Sequence, residues 1–365
     1  MKTNLTWAKD KKIYNPNKYN VLDAGICCIL VTLIFFGVGQ FVGWILPKTG
    51  KFYDYIKSDY GFNVLISIII AQAVVFAVTF TYSRIRKVSY LSGGGYCFKF
   101  DAVNTSFACL MVLGIYLVFE NLHMDIADNF GVLFPQPDID TDGNTAWVVI
   151  VNLVLSPLLP AIIEEGFLRG IIYRSLESYG RWFAIITSAL IFALFHGNPQ
   201  QLFLQFLGGV AFAFVLSLTK NFFIPCFMHF FYNLFIIFVE STKLMAEEHS
   251  AKFLATIEIF LPFLGLVCLI IGVAYFANLA VKQKQVKIKI KNRSVFLFDK
   301  ENNILIEKDA TDTIGVEQEL ANGKYFLHGN EFILPNKQKN KLAGIVLTIL
   351  AISLCVLDVC LSVIL

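Results

Sequence analysis

Apolar runs about 20 residues long recur through this chain, at 21–46, 63–83, 104–121, 144–163, 201–219, 222–240, 253–281 and 342–365, with a shorter one at 182–196. A helix of that length crosses the ~30 Å hydrocarbon core of a bilayer and satisfies its backbone hydrogen bonds within itself. The expected fold class is therefore an all-α polytopic membrane protein of about nine transmembrane helices. Composition agrees: 56% of residues are hydrophobic and 16% charged, against about 25% charged in a soluble domain.

Basic residues mark the expected cytoplasmic side. They gather before residue 21, in 84–99 (Arg84, Arg86, Lys87, Lys99), in 169–181, at Lys220 and in 282–293. Their alternation with the apolar runs places the N-terminus in the cytoplasm and the C-terminus outside. Lys48, Lys51 and Lys57 in the first outer loop depart from that pattern, while 120–142 is acidic and faces out. No cleavable signal peptide is expected, because a polar, lysine-bearing segment precedes a span of full length.

The expected organisation is a cytoplasmic segment at 1–20, transmembrane helices in 21–143, a core at 144–240, an eighth helix in 241–281, a soluble β-rich cytoplasmic insert at 282–341 and a final helix at 342–365. The insert is read from short-period alternation at 286–290, 294–298, 303–306 and 324–334, with Asn322-Gly323 and Gly329-Asn330 as turns. Seven of the eight cysteines fall in apolar segments and none forms a CxxC pair, so they read as small core residues.

Charge at the end of the fourth run sets the chemistry. Glu164, Glu165 and Arg169 follow an apolar segment, and a charge in a bilayer costs roughly 2.5 to 3.5 kcal/mol on insertion scales. On a helix Glu165 and Arg169 lie at i and i+4, the spacing of an ion pair, while Glu164 is turned about 100° away and needs a partner elsewhere. Ser156-Pro157 reads as an N-cap followed by the first helical residue, and Pro160 as part of the same break. The fresh helix is expected to run through Tyr173 and Leu176 to a turn at Tyr179-Gly180. Residues 182–196 end at Gly197-Asn198-Pro199, a glycine-then-proline stop.

Three further groups stand in apolar helices: His196, and His229 with Asn233 at i and i+4. Each has an ordinary structural reading. A membrane histidine can simply bond a carbonyl, Asn233 can join helices, and the Glu165–Arg169 pair is more a structural than a catalytic device. Gly208, Gly209 and Ala213 form a small-residue packing face. His123, His249 and His328 lie in loops or the insert and are given no role. Taken together, acid, base and amide on three separate helices point to one shared polar pocket.

In that order and spacing, Glu164-Glu165-xxx-Arg169, Phe192-xxx-His196 and His229-xxx-Asn233 resemble the motifs of the CPBP family of intramembrane proteases, also called the CAAX protease and bacteriocin-processing or Abi family. It includes the Ras-converting prenyl-protein endopeptidase. The resemblance covers about residues 145–240. It implies an intramembrane endopeptidase in which Glu164 and His196 activate a water while His229 and Asn233 stabilise the oxyanion. Glu165 and Arg169 then hold the catalytic helix, and Phe192 packs the His196 ring.

A zinc version would use Glu164, His196 and His229 as three ligands. The metal-free reading is preferred, with no cofactor. The expected partners are membrane lipid and a membrane-associated or lipid-modified peptide or protein substrate, and no nucleic acid. The expected location is a bacterial cell membrane, since the Lys-, Ile-, Asn- and Phe-rich usage hints at a low-GC bacterium. The competing reading is a non-catalytic scaffold that regulates a partner such as a sensor kinase or mediates bacteriocin immunity. A proton-coupled transporter is disfavoured by the lack of an inverted repeat.

Overall fold

The structure is a computed structural model that describes residues 19–90, 96–133, 154–244, 248–291, 295–299, 304–308, 325–327 and 341–364. It is mostly helical. We label the helices α1 (Val21–Ile45), α2 (Lys51–Ser58), α3 (Tyr60–Ile85), α4 (Ala102–Leu133), α5 (Ser156–Phe167), α6 (Arg181–Phe195), α7 (Leu202–Thr219), α8 (Phe223–Leu244), α9 (Glu248–Lys291) and α10 (Lys341–Ile364). The chain divides into two units, Lys18–Ala274 with Asn340–Leu365, and Met1–Asn17 with Tyr275–Lys339.

Among the described residues, five segments are long and apolar enough to cross a membrane: Val21–Thr49, Leu65–Ile85, Ala102–Asn129, Pro199–Thr219 and Ile259–Gln283. Three more apolar helical segments, Arg181–Phe195, Phe223–Val239 and Ala343–Leu357, are shorter. The expected count of about nine is thus not reached among the described residues, because those three segments are short and the first half of the 144–163 run lies outside the described residues. The molecule is an integral membrane protein.

Close helix crossings come from glycine. A Cβ on Gly25 would lie 2.5 Å from Leu347 Cβ, and one on Gly344 would lie 2.0 Å from Val21 Cγ1, so α1 and α10 meet backbone to backbone. The start of α1 is anchored by a capping box between Asn20 and Asp23. The same Asp23 carboxylate accepts from Tyr82 Oη at 2.6 Å and pairs with Arg86 Nε at 2.8 Å, which ties α1 to the end of α3.

Helix α5 differs from expectation at its start. Residues 154–155 are already helical, the N-cap is Leu155 with αR backbone angles, and Ser156 is the first α-helical residue without a capping bond. Pro157 therefore falls in the first turn, where its missing N–H is no loss, and Pro160 is carried inside the helix. After Phe167 the chain widens into a π-helical turn, Leu168–Tyr173, then continues through Arg174–Leu176 and a 3₁₀ turn at Glu177–Tyr179. Gly180 ends it at φ 126°, a conformation that suits glycine. Helix α6 stops at His196, the C-cap, with Gly197 at φ 65° just beyond.

In the smaller unit, three described strands, β1 (Val295–Asp299), β2 (Ile304–Lys308) and β3 (Tyr325–Leu327), form an antiparallel sheet in the order β2-β1-β3. Residues 286–290, expected as a strand, belong to α9 instead. Their alternation of Lys with Val and Ile suits a strand, but the chain carries on the preceding helix. Much of the expected 282–341 insert lies outside the described residues.

Candidate active site

Glu165 and Arg169 sit across the junction of α5 and its π turn, and both are fully buried. Arg169 Nη1 lies 3.0 Å from Glu165 Oε1, the expected i,i+4 pair. The pair does not stand alone. His229 Nδ1, from α8, lies 3.0 Å from the same Glu165 oxygen, so an ionised Glu165 takes a proton donor from each. Arg169 Nη2 donates at 2.8 Å to the Gly209 carbonyl on α7. One ion pair therefore joins α5, α7 and α8.

Glycine makes the α7 contact attainable. A Cβ at Gly209 would come within 2.9 Å of Phe192 Cδ1 and 3.1 Å of Ala189 Cα, so only a residue without a side chain lets α6 and α7 approach this closely. The small-residue face read as packing thus also exposes a backbone acceptor to the arginine.

Phe192 lies at the centre of the cluster. Its ring is edge-on to His196 at 4.8 Å and to His229 at 5.3 Å, and the Arg169 guanidinium carbon is 5.0 Å from its centroid. Phe212 stacks on His229 at 5.1 Å and 21°. Two aromatic walls hold the imidazole plane, with Arg169 also 5.3 Å from Phe212.

His196 is half-buried at the end of α6, and its Nδ1 lies 2.9 Å from the Phe192 carbonyl. A carbonyl can only accept, so Nδ1 carries the proton and a neutral ring presents its lone pair on Nε2. His196 and His229 pack against the same Phe192 ring, which the Arg169 guanidinium also approaches, so side chains from α6, α8 and the π turn after α5 share one neighbourhood.

Glu164 is 8% exposed, and its partner is not one the sequence singled out. Gln72, in the middle of α3 and also 8% exposed, donates from Nε2 to Glu164 Oε1 at 2.8 Å. Glu164 Oε2 is buried without a hydrogen-bond partner among the described residues. Asn233, one turn beyond His229 on α8, is half-buried.

The glutamate helix is held from the loop after α3. Tyr90 Oη donates to the Ile163 carbonyl at 2.9 Å, and its ring fills the space where a Cβ on Gly166 would sit, 2.4 Å from Cζ. Further along, Glu177 takes Arg174, Lys220 and the Tyr96 hydroxyl. Cys97 N donates to Lys220 O at 3.2 Å, Phe222 N to Cys97 O at 2.8 Å and Asn221 Nδ2 to Lys99 O at 2.7 Å. The two basic loops read as lying on one side of the membrane are thereby stitched together. Burial raises the Glu177 carboxyl, but Lys220 and Arg174 outweigh it and hold it below the usual carboxylate range.

Among the described residues no three His, Cys, Asp or Glu side chains converge closely enough to hold a metal ion. Glu164, His196 and His229 as they stand do not form a ligand set for zinc.

Gln72, Tyr90 and Phe212 stand out only in the structure, and Gly209, expected in a packing face, also serves as an acceptor. For Gln72 a signal existed, a lone amide near the middle of the 63–83 run. Tyr90 and Phe212 are ordinary loop and helix residues by type.

Residues 145–235 match the family model described as "Rce1-like: Type II CAAX prenyl endopeptidase Rce1-like". The chain is also similar to the Bacillus subtilis (strain 168) protein named "Putative membrane peptidase YdiL", at 30% identity over 107 residues, covering 29% of this chain and 43% of that protein. The chain thus spans less than half the length of that curated relative. No solved structure matches it significantly.

Proposed function

With residues 145–235 identified as a domain of the CPBP, or CAAX protease, family, we propose that the protein is an intramembrane endopeptidase that hydrolyses a peptide bond of a membrane-associated or lipid-modified peptide or protein. Glu164 and His196 activate the water, and His229 with Asn233 stabilises the oxyanion. The observation that carries this reading is the state of His196: Nδ1 is committed to the Phe192 carbonyl, which leaves Nε2 as a base beside the Phe192 ring that His229 also packs against.

The water oxygen bonds to the scissile carbonyl carbon as its proton passes to Glu164 or to His196 Nε2. The carbonyl oxygen becomes an oxyanion. His229, with Nδ1 bonded to Glu165, offers Nε2–H when protonated, and Glu165 supplies the counter-charge. Asn233 Nδ2 is a second donor one helical turn away. Collapse of the intermediate breaks the C–N bond, and the departing nitrogen takes back the proton. Glu165 and Arg169 do not touch the substrate in this scheme; they orient His229 and fix α5 against α7 and α8.

The test compares membrane peptides in cells carrying the wild type, Glu164→Gln or His229→Ala, each shown to accumulate in the membrane. A precursor that builds up in both variants supports the reading. Identical peptide profiles in all three would overturn it and favour a scaffolding role.

A further inference from the structure

We propose that Gln72, outside the segment that matches the protease family, is a positioning residue that divides the labour between the two oxygens of Glu164. The proposal rests on the catalytic role of Glu164 given above. Helix α3 packs against α5 and brings an amide to a carboxylate 92 positions away in the chain, at 2.8 Å and with both residues buried. An amide in the middle of a span needs a partner, and a carboxylate there needs a donor. Each meets the other's requirement on one side only.

The geometry is asymmetric. Glu164 Oε1 is occupied by the Gln72 N–H, whereas Oε2 is buried with no donor among the described residues. Gln72 Oε1 is likewise a buried acceptor with no donor among them, and the amide bonds into the site through the N–H it donates to Glu164. A carboxylate with two free oxygens rotates about its last torsion and presents either one. Held at Oε1, Glu164 presents Oε2, the oxygen that takes the proton from water.

The consequence is that the 145–235 segment is an incomplete catalyst. Helix α3 supplies part of the base, so the helices before the family domain are not merely an anchor.

The test uses full-length purified protein in detergent with a synthetic peptide spanning the cleaved site of the precursor found in the Glu164→Gln comparison. Three variants are compared: Gln72→Met, which keeps length but has no donor; Gln72→Glu, which keeps shape but sets a second carboxylate beside the first; and Gln72→His, whose ring N–H reaches about as far as the lost amide. Loss of a hydrogen bond to a charged group typically costs about 10- to 100-fold. The expected result is a fall in kcat of that size for Met, an equal or larger one for Glu and a smaller one for His, with KM within about twofold throughout and unchanged melting temperatures. A side chain that only fills space would rank Met with the wild type, and that ranking overturns the proposal. If Gln72→Met does not accumulate, the His and Glu variants decide: equal activity in those two overturns it as well. Should Glu164→Gln leave peptides unchanged in cells, the protease reading fails and this inference falls with it; if Glu164→Gln blocks cleavage while every Gln72 variant cleaves normally, only this inference falls.

Discussion

His229 Nδ1 and Glu165 Oε1 stand 3.0 Å apart, on the same oxygen that receives Arg169 Nη1. A pair expected to be self-contained is therefore a three-way junction in which one carboxylate balances a guanidinium and orients an imidazole. Because all three are essentially inaccessible to solvent, their charges are not screened as surface charges are.

The two adjacent glutamates should respond differently to the same change. Glu165→Gln leaves the Arg169 guanidinium buried without its counter-charge, and breaking a buried pair from one side costs about 3 to 5 kcal/mol. We expect poor membrane accumulation and a strongly lowered melting temperature in detergent. Glu164→Gln loses no ion pair, so it should accumulate and melt near the wild type while losing peptide cleavage. Comparable melting of the two variants contradicts this division.

Gly166→Ala tests the seat of Tyr90. The added methyl would meet Tyr90 Cζ at 2.4 Å and Cε1 at 2.9 Å, and overpacking of a close contact typically costs about 1 to 3 kcal/mol. Shrinking the ring by Tyr90→Leu in the same chain should recover part of the loss. Thermal melts of the two single variants and the double variant give the coupling; simple additivity would show that the contact does not carry the effect.

Acid should loosen the junction between residues 97–99 and 220–222. Burial works against ionised Glu177, but Lys220 and Arg174 prevail and its folded carboxyl titrates below the usual range. A group so depressed contributes stability that is fully present above the unfolded carboxylate value of about 4.3 and is lost as pH falls through the lower folded value. Hydrogen exchange of the Cys97 and Phe222 amides between about pH 3 and 6 should show faster opening toward the acid end. Glu177→Gln should flatten that dependence.

Chelator treatment separates the two versions of the chemistry. Glu164, His196 and His229 do not converge as a ligand set, so extended dialysis against a chelator is expected to leave cleavage of the precursor peptide within about twofold of the untreated protein. Loss of activity that returns with added zinc would refute the metal-free mechanism.

Several features were legible in the chain itself. The Glu165–Arg169 pair follows from helical spacing, the stop after His196 from Gly197 and Pro199, and the shared side of 84–99 and Lys220 from their basic residues. The helical start at Ser156 was misread because a Ser-Pro pair looks the same whether or not the residues before it are already helical. At 286–290, alternation alone did not reveal that α9 continues through to Lys291.

Spacing along one helix determined which side chains share a face, and hydropathy determined that the chain lies in a membrane; both are local properties that follow from 3.6 residues per turn and from the cost of exposing apolar surface. What faced Glu164 was decided only in three dimensions. The donor came from α3, 92 positions away, and the choice between His196, His229 and Gln72 as its hydrogen-bond partner depended on how the helices cross. Those crossings are governed by the small residues that let backbones meet, and no periodicity within a single helix records which helix lies opposite.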